Sequence, residues 1–413
     1  MYKYINMTKK IKLQAVKLMK VRNEIEDRVI NLRRELHKTP EPGLEEYKTS
    51  AKIKKELRRL NIQFDDELYK TGILAYLPGK QRDKGNTVLL RADMDGLPID
   101  EDNNLPFKSQ HPGWMHACGH DAHMAIQLGV AMVFAENRER LPGDVKFVFQ
   151  PAEESAGGAE KMIANGAISK FSPADYALSF HVNTGLDTGK AALAREISNA
   201  SSTRWKITLK SKGGHGAYPH KGKDLPLILG QLINMLNGIM SRRVSASYPA
   251  VLSIGKIAGG TAINILPEEI KIEGIIRTVR DEDKELIIEE IKEILAGLQS
   301  IYGVEKDLEI IPGYPALVND GEISRLVYNK AKRLLSEENV NWMDKTRMGV
   351  EDFAYFLQEI PGAFWYLGCR NEDKNIVYPG HSSKFMIDED ALKIGLKLQV
   401  ELALELIRFE ANI

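Results

Sequence analysis

The stretch NTVLLRADMDGLPI, residues 86–99, decides how this chain is built. Thr87 to Arg91 is a short apolar run of the kind that forms a buried strand, and it runs into a loop carrying two carboxylates, Asp93 and Asp95. Downstream, DAHMAIQLGVAMVFAENRER (residues 121–140) has apolar residues at helical spacing, with Asp121 placed to cap it. DVKFVFQPAEES (144–155) and YALSFHV (176–182) are again short apolar strands, the first ending in charged residues and the second in His181. Strand, helix, strand with polar residues at the strand ends is the pattern of an open α/β sheet. Ligands of such sheets sit at the carboxyl ends of the strands. Upstream, Ile25 to Leu60 is mostly helical in spacing, broken by the loop TPEPG (39–43).

The character of the chain changes near Ser198. STRWKITLKSKG, LPLILGQLINMLNGIM, VLSIGKIAGG, IKIEGIIRTV and IIEEIKEILAGLQSIYG read as strand, helix, strand, strand, helix, with a last strand to follow. That order suggests a small α+β sandwich inserted into a larger α/β domain. The expected division is residues 1–198 and 312–413 for the α/β domain and 199–311 for the insert, with a long closing helix from Leu392 to Phe409. Two domains also suit a chain of 413 residues.

Composition excludes several classes. Lys plus Arg and Asp plus Glu are both 57, so no net charge invites nucleic acid or an anionic membrane as partner. The N-terminal MYKYINMTKKIKLQAVKLMK scatters its apolar residues among lysines, which reads as an amphipathic helix and not as a secretory signal or membrane span. Two cysteines, Cys118 and Cys369, make no disulfide scaffold and suit a reducing cytoplasm.

HPGWMHACGHDAHM (111–124) holds four of the nine histidines and one of the two cysteines. Metal binding is the plainest reason to gather such groups. Cys118 and His120 stand two apart at a helix entrance, Glu154 and His181 follow predicted strands, and His381 lies in the loop YPGHSS. One thiolate, three imidazoles and a carboxylate suit Zn²⁺, Mn²⁺, Co²⁺ or Ni²⁺ better than Ca²⁺ or Mg²⁺. Two adjacent glutamates in QPAEES repel unless they face different partners. Glu154 facing a metal and Glu153 serving as general base on a metal-activated water resolves the conflict. Asp95 is read as orienting a ligand, or as a loop cap. His37, His111 and His220 are read as core or surface residues, His116 and His123 as neighbours that could orient ligands, and Cys369 as a small buried hydrophobe.

These residues carry a resemblance. RADMDGLPI, MHACGHDAH, QPAEES with GGAEKMI, GGHGAYPH, GGTAINILPEE, MGVEDF and YPGHSSKF stand in the order and spacing of a metal-dependent amidohydrolase and carboxypeptidase family. It includes N-acyl-amino-acid hydrolases of the aminoacylase type, hippurate hydrolase, indole-acetyl-amino-acid hydrolases and N-acetyldiaminopimelate deacetylase. The resemblance covers residues 28 to 408. It implies two divalent ions per subunit (Zn, Mn, Co or Ni) on Cys118, His120, Glu154, His181 and His381, with Glu153 as base. Related branches bridge the two metals with an aspartate; the resemblance implies that here the thiolate of Cys118 helps to bridge them. The insert resembles a lid and dimerisation domain, which implies a homodimer. His215 and Asn264 match residues that reach a neighbouring active site, to stabilise the oxyanion and hold substrate, and Arg277 matches one that binds a substrate carboxylate. Gly96 and Ser155 depart from the family's usual Ala and Gly without touching a proposed ligand.

The implied activity is hydrolysis of the amide bond of N-acyl amino acids (N-acetyl, N-benzoyl or similar). The alternative is a metallocarboxypeptidase acting on short or N-blocked peptides. From other classes come a binding protein that has kept a structural metal, and a hydrolase using Cys118 as nucleophile, which would work without metal.

Overall fold

The computed structural model describes residues 21–410. The amphipathic helix expected at the N-terminus lies outside the described residues. The centre is an eight-stranded mixed sheet in the spatial order Gln63–Asp65, Ile73–Leu77, Asp144–Gln150, Thr87–Asp93, Tyr176–Asp187, Gly362–Arg370, Ala191–Leu193, Val340–Trp342. The four strands from Asp144–Gln150 to Gly362–Arg370 run parallel, so their carboxyl ends share one edge. All seven residues of Thr87–Asp93 are buried, as are all seven of Asp144–Gln150. Such strands are covered on both faces, which is why their sequences are apolar without alternation.

One face is covered by helices Asn23–His37, His120–Glu136 and Asp390–Ile407. The middle one is buried on every side from His120 to Phe134. Close approach depends on Gly129, where a Cβ would meet Val29 Cγ2 at 2.5 Å and Leu396 Cδ1 at 2.9 Å. The other face packs against the short helices Gly158–Ala164 and Ala354–Glu359.

Two local expectations need correction. Asp121 does not cap the helix: the helix begins at His120 and is entered through Gly119 at φ +89°, a left-handed turn that suits glycine. Asp121 is instead buried, accepting from Arg33 Nε at 2.7 Å and facing His37 Nδ1 at 2.8 Å. His181 does not end its strand either. The strand continues through polar residues to Asp187 because Gly362–Arg370 goes on pairing with it.

The inserted unit has a four-stranded antiparallel sheet in the order Ala250–Gly259, Glu269–Thr278, Thr203–Lys210, Glu305–Pro312. Helices Leu225–Arg242 and Asp281–Tyr302 close its own core around Trp205, Ile207, Leu232, Ile272 and Ile291. This is the split βαβ arrangement. The chain passes between the units twice, and the two crossings pair: Ser202 N–H donates to Tyr314 O at 2.8 Å and Gly313 N–H to Ser202 O at 2.9 Å. No helix among the described residues is long and apolar enough to cross a membrane.

Candidate metal and active site

The site lies where two central strands part. Pairing of Thr87–Asp93 with Tyr176–Asp187 stops at Leu90 and Leu178, and the same register would set Asp93 opposite His181. Ligand crevices of open sheets form at such places. Four segments meet there: the loop through Asp95, the helix entrance Cys118–His120, the turn Pro151–Ser155 and the loop around His381. Besides the helix entrance at Gly119, two of them turn through left-handed backbone. Ala152 has φ +56° and His381 φ +64°. The first is held by Glu46, whose Oε1 accepts from Ala152 N–H at 2.9 Å; the second donates its N–H to Ala117 O at 2.8 Å. The sharp turn at Ala152 sets Glu153 and Glu154 toward different partners.

The hydrogen bonds fix the histidine tautomers. His120 Nδ1 faces two acceptors, Asp95 O at 2.9 Å and Asp95 Oδ1 at 3.2 Å, and so carries the proton. His181 Nδ1 donates in the same way to Val182 O at 2.6 Å. Each ring is left with an Nε2 lone pair turned to the crevice, the arrangement by which ligating histidines are oriented. His181 Nε2 is 3.2 Å from Cys118 Sγ. His120 Nε2 is 3.8 Å from Glu154 Oε1, and both atoms are buried without a hydrogen-bond partner. His381 Nε2 lies 3.2 Å from the same Glu154 oxygen. Buried polar atoms are rarely orphaned. Soft and borderline donors converging on orphaned atoms fit a divalent transition metal.

His123 also lies here, yet both its nitrogens are in use. Nε2 accepts from Val182 N–H at 3.0 Å, so Nδ1 donates to Asp93 Oδ1 at 2.6 Å. It holds the strand at His181 and is not free to ligate. His116 is buried, and its two ring nitrogens have no hydrogen-bond partner. Asp95 Oδ2 accepts from Glu154 N–H at 3.0 Å, so one carboxylate orients His120 and the Glu154 backbone together.

The electrostatics follow. Burial would push His120 down, but Asp93, Asp95 and Glu154 outweigh it and hold it at about 10, an acidic field in which a divalent ion on Nε2 would take the place of the second proton. Burial and the nearby His123 bring His181 down to about 3. Glu154 is drawn to about 2, against burial, by His381 and His120. Burial, then Glu351 and Glu154, push Glu153 well above the usual carboxylate range. Glu153, Glu351 and Asp352 offer oxygens within 4.8 Å of one another.

A cavity of about 680 Å³ opens on this cluster. Cys118, Glu153, Glu154, His181 and His381 line it, and so does Arg277, whose Nη1 is buried without a partner. His215 and Asn264 do not reach it. They sit side by side on the inserted unit, where Gly216 N–H donates to Asn264 O at 2.7 Å, and both are exposed.

Sequence reasoning did not assign roles to Arg91, Glu351, Asp352, Tyr314 or Glu46. Arg91 is buried with Nη1 2.6 Å from Asp93 Oδ2, Nη2 2.7 Å from Asp352 Oδ1 and 2.9 Å from Glu351 Oε1. Tyr314 Oη donates to Glu153 O at 2.6 Å. Glu46, bonded to Thr71 as well as Ala152, is lifted by burial to about 7. Its folded value exceeds the ordinary 4.5, so the stability it contributes is present below pH 4.5 and lost as pH rises towards 7. Glu46→Gln, which keeps the shape and cannot ionise, is expected to gain melting temperature over the parent as pH rises from 5 to 8. Equal pH dependence of melting in the two proteins would refute this.

Comparison with known proteins agrees with this geometry. Residues 89–405 match the profile of peptidase family M20/M25/M40. Thermostable carboxypeptidase 2 of Saccharolobus solfataricus is 36% identical over 387 residues, covering 92% of this chain and 96% of that protein. N-acetyldiaminopimelate deacetylase of Priestia megaterium is 37% identical over 374 residues, covering 90% and 96%. The crystal structure of the Bacillus subtilis YXEP protein, described as a dinuclear metal binding peptidase from the M20 family, superposes with a TM-score of 0.81 at 32% identity, covering 92% of this chain and 98% of that one. With the profile spanning most of the chain and these similarities running through both of its units, the chain belongs to peptidase family M20/M25/M40.

Proposed function

We propose that the protein hydrolyses the amide bond of N-acyl amino acids, with two divalent ions held by Cys118, His120, Glu154, His181 and His381. The observation that carries this is that Cys118, Glu153, Glu154, His181 and His381 line one cavity that also presents Arg277 without an acidic partner, with His120 grouped within 4.8 Å of Cys118 and His181 and, in the same way, of the two glutamates. The ions, when bound, supply Lewis acidity to a water and to the amide carbonyl. Glu153 removes the proton from the attacking water and returns it to the leaving nitrogen. The new C–O bond and the broken C–N bond yield a carboxylic acid and a free amino acid. Tyr314 steadies Glu153 through its backbone, Asp95 aligns His120 with Glu154, and Arg277 pairs with the substrate carboxylate as a planar fork. The metallocarboxypeptidase reading shares this machinery; a cavity of about 680 Å³ favours it, being roomy for an acetyl group. Both cysteines are free, which supports a cytoplasmic location.

The reading includes a homodimer in which His215 and Asn264 serve the partner subunit's site. Its support is the exposed apolar pair flanking Asn264: Ile265, which pairs with His215, and Ile263, which is fully exposed. Such clustering marks an interaction surface. Ile263→Asp is expected to shift the protein from dimer to monomer in light scattering, and kcat to fall with it. A monomeric parent with full activity would contradict this.

The test strips the protein with chelator and restores Zn²⁺, Mn²⁺, Co²⁺ or Ni²⁺. Amino-acid release is then followed from N-acetyl and N-benzoyl amino acids and N-blocked dipeptides. Activity should vanish and return with metal. Activity indifferent to chelation would move the chemistry to Cys118 and sink the proposal.

A further inference from the structure

We propose that Arg347 is a second anion anchor in the cavity, and that the favoured substrates carry a second carboxylate besides the one on the amino acid's α-carbon. This rests on the hydrolase reading above and deepens it. Arg347 lines the same cavity as Glu153 and Arg277. Its guanidinium lies 4.1 Å from the ring centre of Tyr366, itself a cavity wall. Tyr366 is buried and donates its hydroxyl to Asn199 Oδ1 at 2.8 Å, so the stacking face is fixed. The backbone is fixed too: Arg347 N–H donates to Ser198 O at 2.9 Å, and Ala200 N–H to Arg347 O at 2.8 Å.

No carboxylate pairs with Arg347 or with Arg277 among the described residues, whereas Arg91 close by is matched by three acids. A guanidinium stacked on an aromatic and left without an acid keeps its fork free for an incoming carboxylate. One α-carboxylate satisfies one such fork and leaves the other, on the exposed Arg347, with water alone. The crossing strand also separates the two arginines. Asn199 bridges to Arg347 on one side, and on the other Ser201 N–H donates to Thr278 O, next to Arg277. Two strand spacings put their backbones roughly 10 Å apart, a span for two carboxylates on one molecule. The acids of the cavity, Glu153, Glu154 and Glu351, would repel a second carboxylate near the reacting amide. Arg347 gives it a place to go.

The second carboxylate has two sources, the amino-acid side chain or the acyl group. Metal-loaded full-length protein separates them with two matched pairs: N-acetyl-glutamate against N-acetyl-glutamine, and N-succinyl-leucine against N-succinamoyl-leucine. One pair should show about a 10- to 100-fold preference in kcat/KM for the acid, carried mainly by KM. In Arg347→Met that ratio should fall to near one, and Arg347→Lys should restore part of it. A ratio within one protein does not depend on how much of it is folded. Parent ratios at or below one for both pairs, or a preference unchanged in Arg347→Met, would overturn the proposal and leave the hydrolase reading standing. No turnover of any of the four substrates would overturn both.

Discussion

Replacing Glu153 with glutamine is expected to lower kcat by about 10²- to 10⁴-fold, the usual contribution of a positioned proton acceptor. Glutamine keeps the length and packing of the side chain and cannot take a proton. The backbone contact from Tyr314 Oη to Glu153 O does not involve the side chain and survives the change. Metal content should not move, because Glu154 makes the close approaches, 3.8 Å to His120 Nε2 and 3.2 Å to His381 Nε2, and Glu153 makes none within 4 Å of either ring. KM should change little, since Arg277 is untouched. Steady-state kinetics beside metal analysis of the same sample reads all three. A variant that retains a tenth of the parental kcat with full metal content would remove Glu153 from the role of base. Loss of metal along with activity would show instead that the two glutamates share the ligand work.

Much of this site is legible in the sequence, for a physical reason. Ligands at the ends of parallel strands follow apolar runs, and VLLRAD, KFVFQ and ALSF announce those runs without any structure. Cys118, His120, Glu154 and His181 therefore converge from segments that periodicity alone could place, whereas His381 comes from the loop YPGHSS, which no periodic run leads into. What stayed hidden depends on contacts far apart in the chain. Asp121 reads as a cap because its neighbourhood looks like a helix start, yet its partners are Arg33 and His37, 88 and 84 residues away. His181 reads as a strand end because the apolar run stops there, but strand length is set by what Gly362–Arg370 goes on pairing with. Glu46 gave no local sign at all; its role comes from meeting Ala152 across 106 residues. Arg91 did give one. An arginine inside an apolar strand must find acids, and MGVEDF offered two adjacent ones with no other work.

That network makes the second large prediction. Arg91→Met should destabilise the protein by about 3–5 kcal/mol, the cost of leaving buried charges without their partner. Met preserves volume, so the loss reports charge and not packing. Three carboxylates, Asp93, Asp352 and Glu351, close on the guanidinium at 2.6, 2.7 and 2.9 Å. Burial already lifts Glu351 to about 8, only partly countered by Arg91, and Asp352 to about 6 in the same way. Both folded values lie above the ordinary 4.5 and 3.8, so their contribution is intact below pH 4 and fades as pH climbs through 6 and 8. Removing Arg91 lifts them further. Asp93, held against burial well below the usual carboxylate range by His120, His123 and Arg91, stays charged at pH 4, so the deficit of the variant should be smaller near pH 4 and largest near pH 8, measured by denaturant unfolding at each pH. Adding Asp352→Asn should recover part of it at pH 8 and little at pH 4, because it deletes one charge that Arg91 had balanced. A deficit below about 1 kcal/mol, or one that ignores pH, would mean the acids are already neutral and Arg91 balances nothing. On the present geometry the opposite holds: Arg91 offsets the acids beside Glu153, and so lets a general base stand within 4.8 Å of two other carboxyl groups.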